Sequence, residues 1–155
     1  AKSFGLAFYK AQEATQSTLP SEGVVLISVT RNERPAVLEV ARQFAELGFK
    51  IKATEGTHKY LAEQGVQSDV VLKLSEGRPN ILDHIKNSEI NLVINTPSGQ
   101  ISKEDDSYIR KSAIRYKIPY ITTLAAAFAA ARGIRALHEG ETGVRSLQDY
   151  HKDIV

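Results

Sequence analysis

From Val24 onward the chain alternates short apolar runs with longer segments of helical periodicity, and this alternation constrains the fold more than any other feature. Val24-Val25-Leu26-Ile27-Ser28-Val29 is β-branched and unbroken by polar residues until Ser28, as expected of a strand covered on both faces. Pro35 suits the first turn of a helix in which Val37, Leu38, Val40, Ala41, Phe44, Ala45 and Leu47 keep helical spacing until Gly48. Phe49 to Ala53 reads as a second strand. Thr54-Glu55-Gly56-Thr57 then leads into a helix that ends near Gln64, with Thr57 as its cap. The same reading gives strands at Val70-Val71-Leu72, Leu92-Val93-Ile94 and Ile118 to Ile121, and helices through Ile81 to Ile85 and Asp105 to Tyr116. The Ala-rich stretch Leu124 to Ala131 is a last core helix. Successive β–α units of this spacing require right-handed crossovers, which predicts an α/β fold: a three-layer α/β/α sandwich with a five-stranded parallel sheet.

The 155 residues suit one such domain, and what flanks it is expected to be short. Residues 1–22 are expected to be a helix and linker from the end of a preceding domain, with a helix packed on its own domain as the equal alternative. Residues 23–135 form the α/β domain, and residues 136–155 a polar tail. The chain has no methionine, so it is expected to be an excerpt of a longer or processed polypeptide. Twenty Lys+Arg against 18 Asp+Glu leave a charge of +2, scattered along the chain, which argues against a nucleic-acid partner. No apolar run approaches the roughly 18 residues of a membrane helix. The absence of cysteine removes disulfides, thiolate metal sites and thiol catalysis, and a cytoplasmic location is expected.

In parallel α/β sheets ligands bind at the carboxyl ends of the strands. The polar segments expected there are Ser28 to Arg34, Thr54 to Thr57, Lys73 to Pro79 and Asn95 to Ser102. Thr54-Glu55-Gly56-Thr57 places a glycine and two hydroxyls at a helix start, where free amides favour a phosphate or carboxylate; taken alone, the segment is more simply a capped helix after a tight turn. Lys73 and Arg34 stand at strand ends where they either face solvent or add charge to an anion pocket. Ser28 and Asn95 interrupt apolar strands near their ends and could bond a ligand or turn the chain. No G-x-G-x-x-G, G-x-x-x-x-G-K-[ST] or G-x-S-x-G occurs, which argues against dinucleotide, triphosphatase and hydrolase sites. His58, His84, His138 and His151 lack metal-ligand spacing and are expected at the surface. Glu104-Asp105-Asp106 suits a helix dipole rather than a metal. No general base stands near the pocket, which reads as a binding site with neither metal nor cofactor.

Three segments occur in order: Ala53-Thr54-Glu55-Gly56-Thr57, Glu76-Gly77-Arg78-Pro79-Asn80-Ile81 and Asn95-Thr96-Pro97-Ser98-Gly99. With Tyr108-Ile109-Arg110-Lys111-Ser112-Ala113 they resemble the methylglyoxal-synthase-like domain at the C-terminus of the carbamoyl-phosphate synthase large subunit, over essentially the whole chain. Phe4 to Gln12 is similar to the end of that family's preceding half. The resemblance implies an allosteric module that binds a nucleotide monophosphate, UMP or a relative, and regulates glutamine-dependent carbamoyl-phosphate synthesis for pyrimidines and arginine. Thr54, Thr57, Lys73, Arg34 and Ser28 then match the phosphate site, Asn95 the ribose and base, and Tyr120 and Thr122 a second effector site. The implied partners are the rest of the large subunit and the glutaminase small subunit. ATP with Mg or Mn belongs to the parent enzyme, and no catalytic group to these residues.

This sequence departs from that pattern in places. Arg34 replaces a lysine of well-known bacterial members, Pro97 replaces a hydroxyl residue and removes a backbone donor, and Ile121 stands where ornithine-responsive members carry an acid. Methylglyoxal synthase itself is the alternative of the same fold; its catalytic carboxylate position is matched by Arg78, which cannot serve as a base. The cyclohydrolase domain of purine biosynthesis is similar only in its first two β–α units. A third reading is an interaction module that forms a homo-oligomer through its Ala-rich helix.

Overall fold

In a computed structural model, which describes Ala7, residues 19–96 and residues 101–140, strands and helices alternate along the chain. They are β1 (Val24–Ser28), α1 (Arg34–Glu46), β2 (Lys50–Thr54), α2 (Glu55–Glu63), β3 (Asp69–Val71), α3 (Ile81–Lys86), β4 (Leu92–Asn95), α4 (Lys103–Arg115), β5 (Tyr120–Ile121) and α5 (Leu124–His138). Short 3-10 turns at Arg31–Glu33 and Leu74–Glu76 precede α1 and α3. The five strands form one sheet in the order β3-β2-β1-β4-β5, parallel at every pairing. The predicted α/β sandwich is therefore the observed fold.

The alternation of strand side chains divides the core in two. Val25 and Ile27 of β1 join Leu92 and Ile94 of β4 beneath Val37, Phe44, Leu61 and Ile134. Leu26 and Val93, from the same strands, point the other way, toward Ile81, Ile85, Ile109 and Ala113. Helices α1, α2 and α5 thus cover one face, and α3 and α4 the other. Phe44 is fully buried and meets Phe49 edge to face, with ring centroids 5.2 Å apart. Burying one such ring contributes about 1.5–3 kcal/mol.

From β1 the chain winds outward through β2 to β3, and β4 then returns to the other side of β1. The reversal between β1 and β4 is where a doubly wound sheet opens a crevice. Register places Ser28 beside Asn95 and Thr54 beside Val71, so the ends of these strands share one rim.

Three boundaries differ from the sequence reading. Helix α2 begins at Glu55, with Thr54 at the N-cap position, so Thr57 lies inside the first turn rather than capping it. Helix α5 runs to His138, past Ala131, because Ile134 and Ala136 continue its buried face through Gly133. The segment assigned to a polar tail from residue 136 therefore starts inside a helix. At the other end Leu19 is 1% exposed and packs in the first core cluster, and His138 Nε2 donates to the Ser21 carbonyl at 2.5 Å. The segment from Leu19 onward is thus part of the domain's packing, although a linker was expected there. The helix expected over residues 2–14, apart from Ala7, and residues Pro97, Ser98, Gly99 and His151 lie outside the described residues. No helix among the described residues is long and apolar enough to cross a membrane.

Candidate functional site

Strands β1 and β2 end on hydroxyl residues that are fully buried, Ser28 and Thr54. Thr54 Oγ1 donates to Ser28 Oγ at 3.2 Å. The same hydroxyl accepts nothing from the amides of α2, and the helix has no side-chain cap. Its first amides are left without a partner from a capping residue, which gives the helix start a partial positive charge. One turn in, Thr57 is also fully buried, and its Oγ1 has no hydrogen-bond partner.

An open cavity of about 410 Å³ lies against this helix start, lined among others by Arg31, Arg34, Thr54, Gly56, Lys59 and Lys73. Gly56 has a specific role there. A Cβ built on it would fall 2.1 Å from Arg34 Nη2, so the guanidinium rests where any other residue's side chain would be. Arg34 Nε is itself buried and without a partner. Arg34 and Lys73 are half-buried, whereas Arg31 and Lys59 are exposed at the mouth. Glu55 and Glu63 also line the cavity, yet no ion pair joins any of these six residues among the described ones. The cavity wall thus holds four cations, two carboxylates and the hydroxyls of Thr54 and Tyr60, beside the uncapped amides of α2.

The structure brings together Arg34, Thr54 and Lys73 as lining residues, with Ser28 reaching the site through its bond to Thr54. Asn95 is placed differently from the expectation. Its Nδ2 donates to Asp106 Oδ1 and to the Tyr120 hydroxyl, each at 2.6 Å. Only Asn95 Oδ1 is left, buried and without a partner. Asp106, read from sequence as part of a dipole-favouring acidic start, therefore also serves the core, and it accepts a bond from the Tyr120 hydroxyl as well. Arg110 lies 5.0 Å over the Tyr120 ring and pairs with Asp106 at 3.5 Å. Burial first, then the Asp106 carboxylate, push the Tyr120 phenol up from its ordinary value. Tyr120 is thus engaged inside the domain, while Thr122 beside it is half-buried.

Asp83 answers Arg78 at 2.6 Å. The hydrogen bond from Arg78, with the Asn80 amide second, lowers the Asp83 carboxyl from 3.8 to about 2. Of the histidines, His58 bonds Ser68 at 2.7 Å and His84 bonds Glu89 at 2.6 Å; both are half-buried rather than free at the surface. No group of three or more His, Asp or Glu among the described residues could hold a metal.

Sequence reasoning missed Arg31 and Lys59. The available signal was spacing: Arg31 stands three residues before Arg34, and Lys59 three residues after Gly56 on α2. A larger cavity of about 1120 Å³ lies between the end of α1 and the starts of β2 and β3, lined by Arg42, Phe49, His58 and Asp69 among others. It is at the amino ends of the strands, where parallel sheets do not gather ligand loops.

A doubly wound sheet with a pocket holding four cations at the carboxyl ends of its strands defines the class of domain as parallel α/β with its candidate site at the strand ends. The chain belongs to the MGS-like domain family, whose model matches residues 36–122. It is 47% identical over 151 residues to a carbamoyl phosphate synthase large chain of Archaeoglobus fulgidus, an alignment covering 97% of this chain and 14% of that protein. It is 48% identical to a carbamoyl phosphate synthase large chain, C-terminal section, of Aquifex aeolicus, covering 97% of this chain and 29% of that one. The chain therefore spans only a small part of these relatives. A methylglyoxal synthase from Elizabethkingia anophelis shares the fold, with a TM-score of 0.58 at 17% identity, over 73% of this chain and 79% of that one.

Proposed function

We propose that this chain is the allosteric domain of a carbamoyl-phosphate synthase large chain, and that it binds a nucleotide monophosphate such as UMP at the start of α2. The observation that carries this reading is the uncapped α2, whose Thr54 bonds Ser28 instead of its own helix. A bound phosphate would accept from the α2 amides, with Arg34 and Lys73 balancing its charge and the Thr57 hydroxyl gaining the partner it lacks. Asn95 contributes its free Oδ1 toward ribose and base. Tyr120 and Thr122 belong to a second effector site only if Tyr120 gives up its bond to Asp106.

In this reading the parent enzyme makes carbamoyl phosphate in the cytoplasm, using ATP with Mg or Mn and ammonia from a glutaminase subunit. The present chain supplies no catalytic group. The effector changes activity only through its different affinity for two states of the parent. Against a methylglyoxal-synthase-type lyase stands the Arg78–Asp83 pair. Arg78 does not titrate, and a carboxyl lowered to about 2 is a poor base at neutral pH.

Calorimetric titration with UMP tests the proposal, repeated on Thr54→Ala and Lys73→Ala. Saturable binding weakened by both substitutions is expected. Absence of UMP binding by the folded chain would overturn it.

A further inference from the structure

We infer that the larger cavity, at the amino ends of the strands, is a docking groove for this chain's own segment 141–155, which seats there as an amphipathic helix. The inference is independent of the pocket at the start of α2.

The groove holds about 1120 Å³ between the ends of α1 and α2 and the starts of β2 and β3. Phe49, Ile51 and Val66, all members of the first core cluster, give it an apolar floor. Ala45 and Ala62 line it too and are exposed. Gly65 adds room, since a Cβ built there meets nothing within 4 Å. The charges around the groove are of both signs, Arg42 and Lys50 against Glu46 and Asp69, so the wall selects no small ion. His58 is engaged, its Nδ1 lying 2.7 Å from Ser68 Oγ. Such a surface suits a stripe of apolar side chains flanked by mixed charge.

The chain itself brings one to the right place. In a parallel sheet each helix returns to the amino ends of the strands, so α1 and α5 finish at the same end. Arg135 of α5 donates to Glu46 of α1 at 3.0 Å, and Glu46 lines the groove. A few residues later Gly140 takes a φ of 76° and its amide bonds the Leu137 carbonyl, which turns the chain off the helix axis. Residues 141–155 would reach about 22 Å from there as a helix. Within them Val144, Leu147, Tyr150 and Ile154 recur at intervals of three and four, which makes one apolar stripe, with Arg145, Asp149 and Lys152 on the opposite side. The segment is polar in composition, yet its apolar residues share one face.

The chain has no cysteine, so pairs of introduced cysteines report its contacts directly. Leu147→Cys is combined in turn with Ala45→Cys, Ala62→Cys and Ile114→Cys, the last on the exposed side of α4 across the sheet. Disulfide formation in a glutathione buffer is followed by mass spectrometry, with circular dichroism as the check of folding. A bond within one chain is expected to form about tenfold faster at Ala45 or Ala62 than at Ile114. A second readout leaves the groove untouched. In the Leu147→Asp/Ile154→Asp variant, hydrogen exchange is expected to quicken about fivefold or more over residues 45–50 and 62–69 and to stay unchanged over α4.

Equal cross-linking at the three positions, or faster cross-linking at Ile114, would overturn the inference. So would exchange that the double variant leaves unchanged or quickens everywhere alike. Disulfides formed between two chains rather than within one would also overturn it and give the groove to a second copy.

Discussion

Two groups of helices in this domain begin in opposite ways. Helices α3, α4 and α5 are each capped by a side chain: Asn80 accepts from the Leu82 amide, Ser102 from Asp105 and Thr123 from Ala126. Helices α1 and α2 have no side-chain cap. In α1, Pro35 in the first turn removes one of the amides that need a partner. In α2 a competent residue is present, since Thr54 stands at the N-cap, but its hydroxyl is bonded to Ser28. A cap of this type normally contributes about 1 kcal/mol. Withholding it at a helix start that lines the cationic cavity leaves, in the proposed reading, that stabilisation available to a ligand. The contrast separates helix starts that close the fold from those that line the cavity.

The largest effect is expected where the open start is crowded. Gly56→Ala puts a methyl group where Arg34 Nη2 now lies, 2.1 Å from the new Cβ. Displacing that guanidinium should weaken UMP by about 2 kcal/mol, roughly thirtyfold in Kd by calorimetry. Stability should change far less, because Gly56 lies in a helix where alanine is favoured. A large loss of stability with unchanged affinity would erase the contrast between the two groups.

Caps should behave in the reverse manner. Asn80→Ala removes the bond to the Leu82 amide and a second bond to the Gly77 carbonyl at 3.1 Å. It should cost about 1–2 kcal/mol in urea denaturation. Thr123→Ala removes a single bond, at 3.1 Å, and should cost about 1 kcal/mol. Neither change should alter UMP affinity, and a shift in Kd for either would show that the capped helices report on the site.

The capped α3 also makes a pH prediction. Asp83 holds the Asn80 amide at 2.9 Å, and its carboxyl is lowered from 3.8 to about 2. Because the folded value lies below the unfolded one, its contribution to stability is present above about pH 4 and is lost as pH falls toward 2. Asp83→Asn should flatten the denaturation midpoint against pH in that window and lower it near neutrality, where the contribution is fully present. The smallest effect is expected at the exposed Arg135–Glu46 pair, 3.0 Å apart. Arg135→Ala should change stability by no more than about 0.5 kcal/mol.

The strands were legible in the sequence because a parallel strand buried on both faces writes an uninterrupted apolar run, as Val24 to Ile27 and Leu92 to Ile94 do. The helix starts were less legible. Thr54 and Thr57 are both competent caps three residues apart, and local propensity cannot choose between them. The helix starts with Thr54 in the N-cap position, yet the Thr54 hydroxyl donates to Ser28, 26 residues earlier, a bond that no local pattern shows. Asn95 shows the same limit, since its partners Asp106 and Tyr120 are 11 and 25 residues away. Gly133 resembled a stop signal, but packing of Ile134 carries α5 through it. That Arg34, Thr54 and Lys73 would meet at one rim was legible from strand ends alone. The place of Arg31 and Lys59 was not, because a surface lysine on a helix looks the same whether or not a cavity faces it.

Leu19 gives the domain a practical edge that differs from its topological one. The sheet starts at Val24, and a piece cut there would appear complete on a strand diagram. Such a piece would leave a leucine-sized hole in the first core cluster and release the His138 side chain from Ser21. Filling that hole with water or collapsing around it would cost about 2–5 kcal/mol. The smallest transplantable unit therefore begins a few residues upstream of the first strand, and a fusion or excision designed from the strand diagram alone would cut through its core.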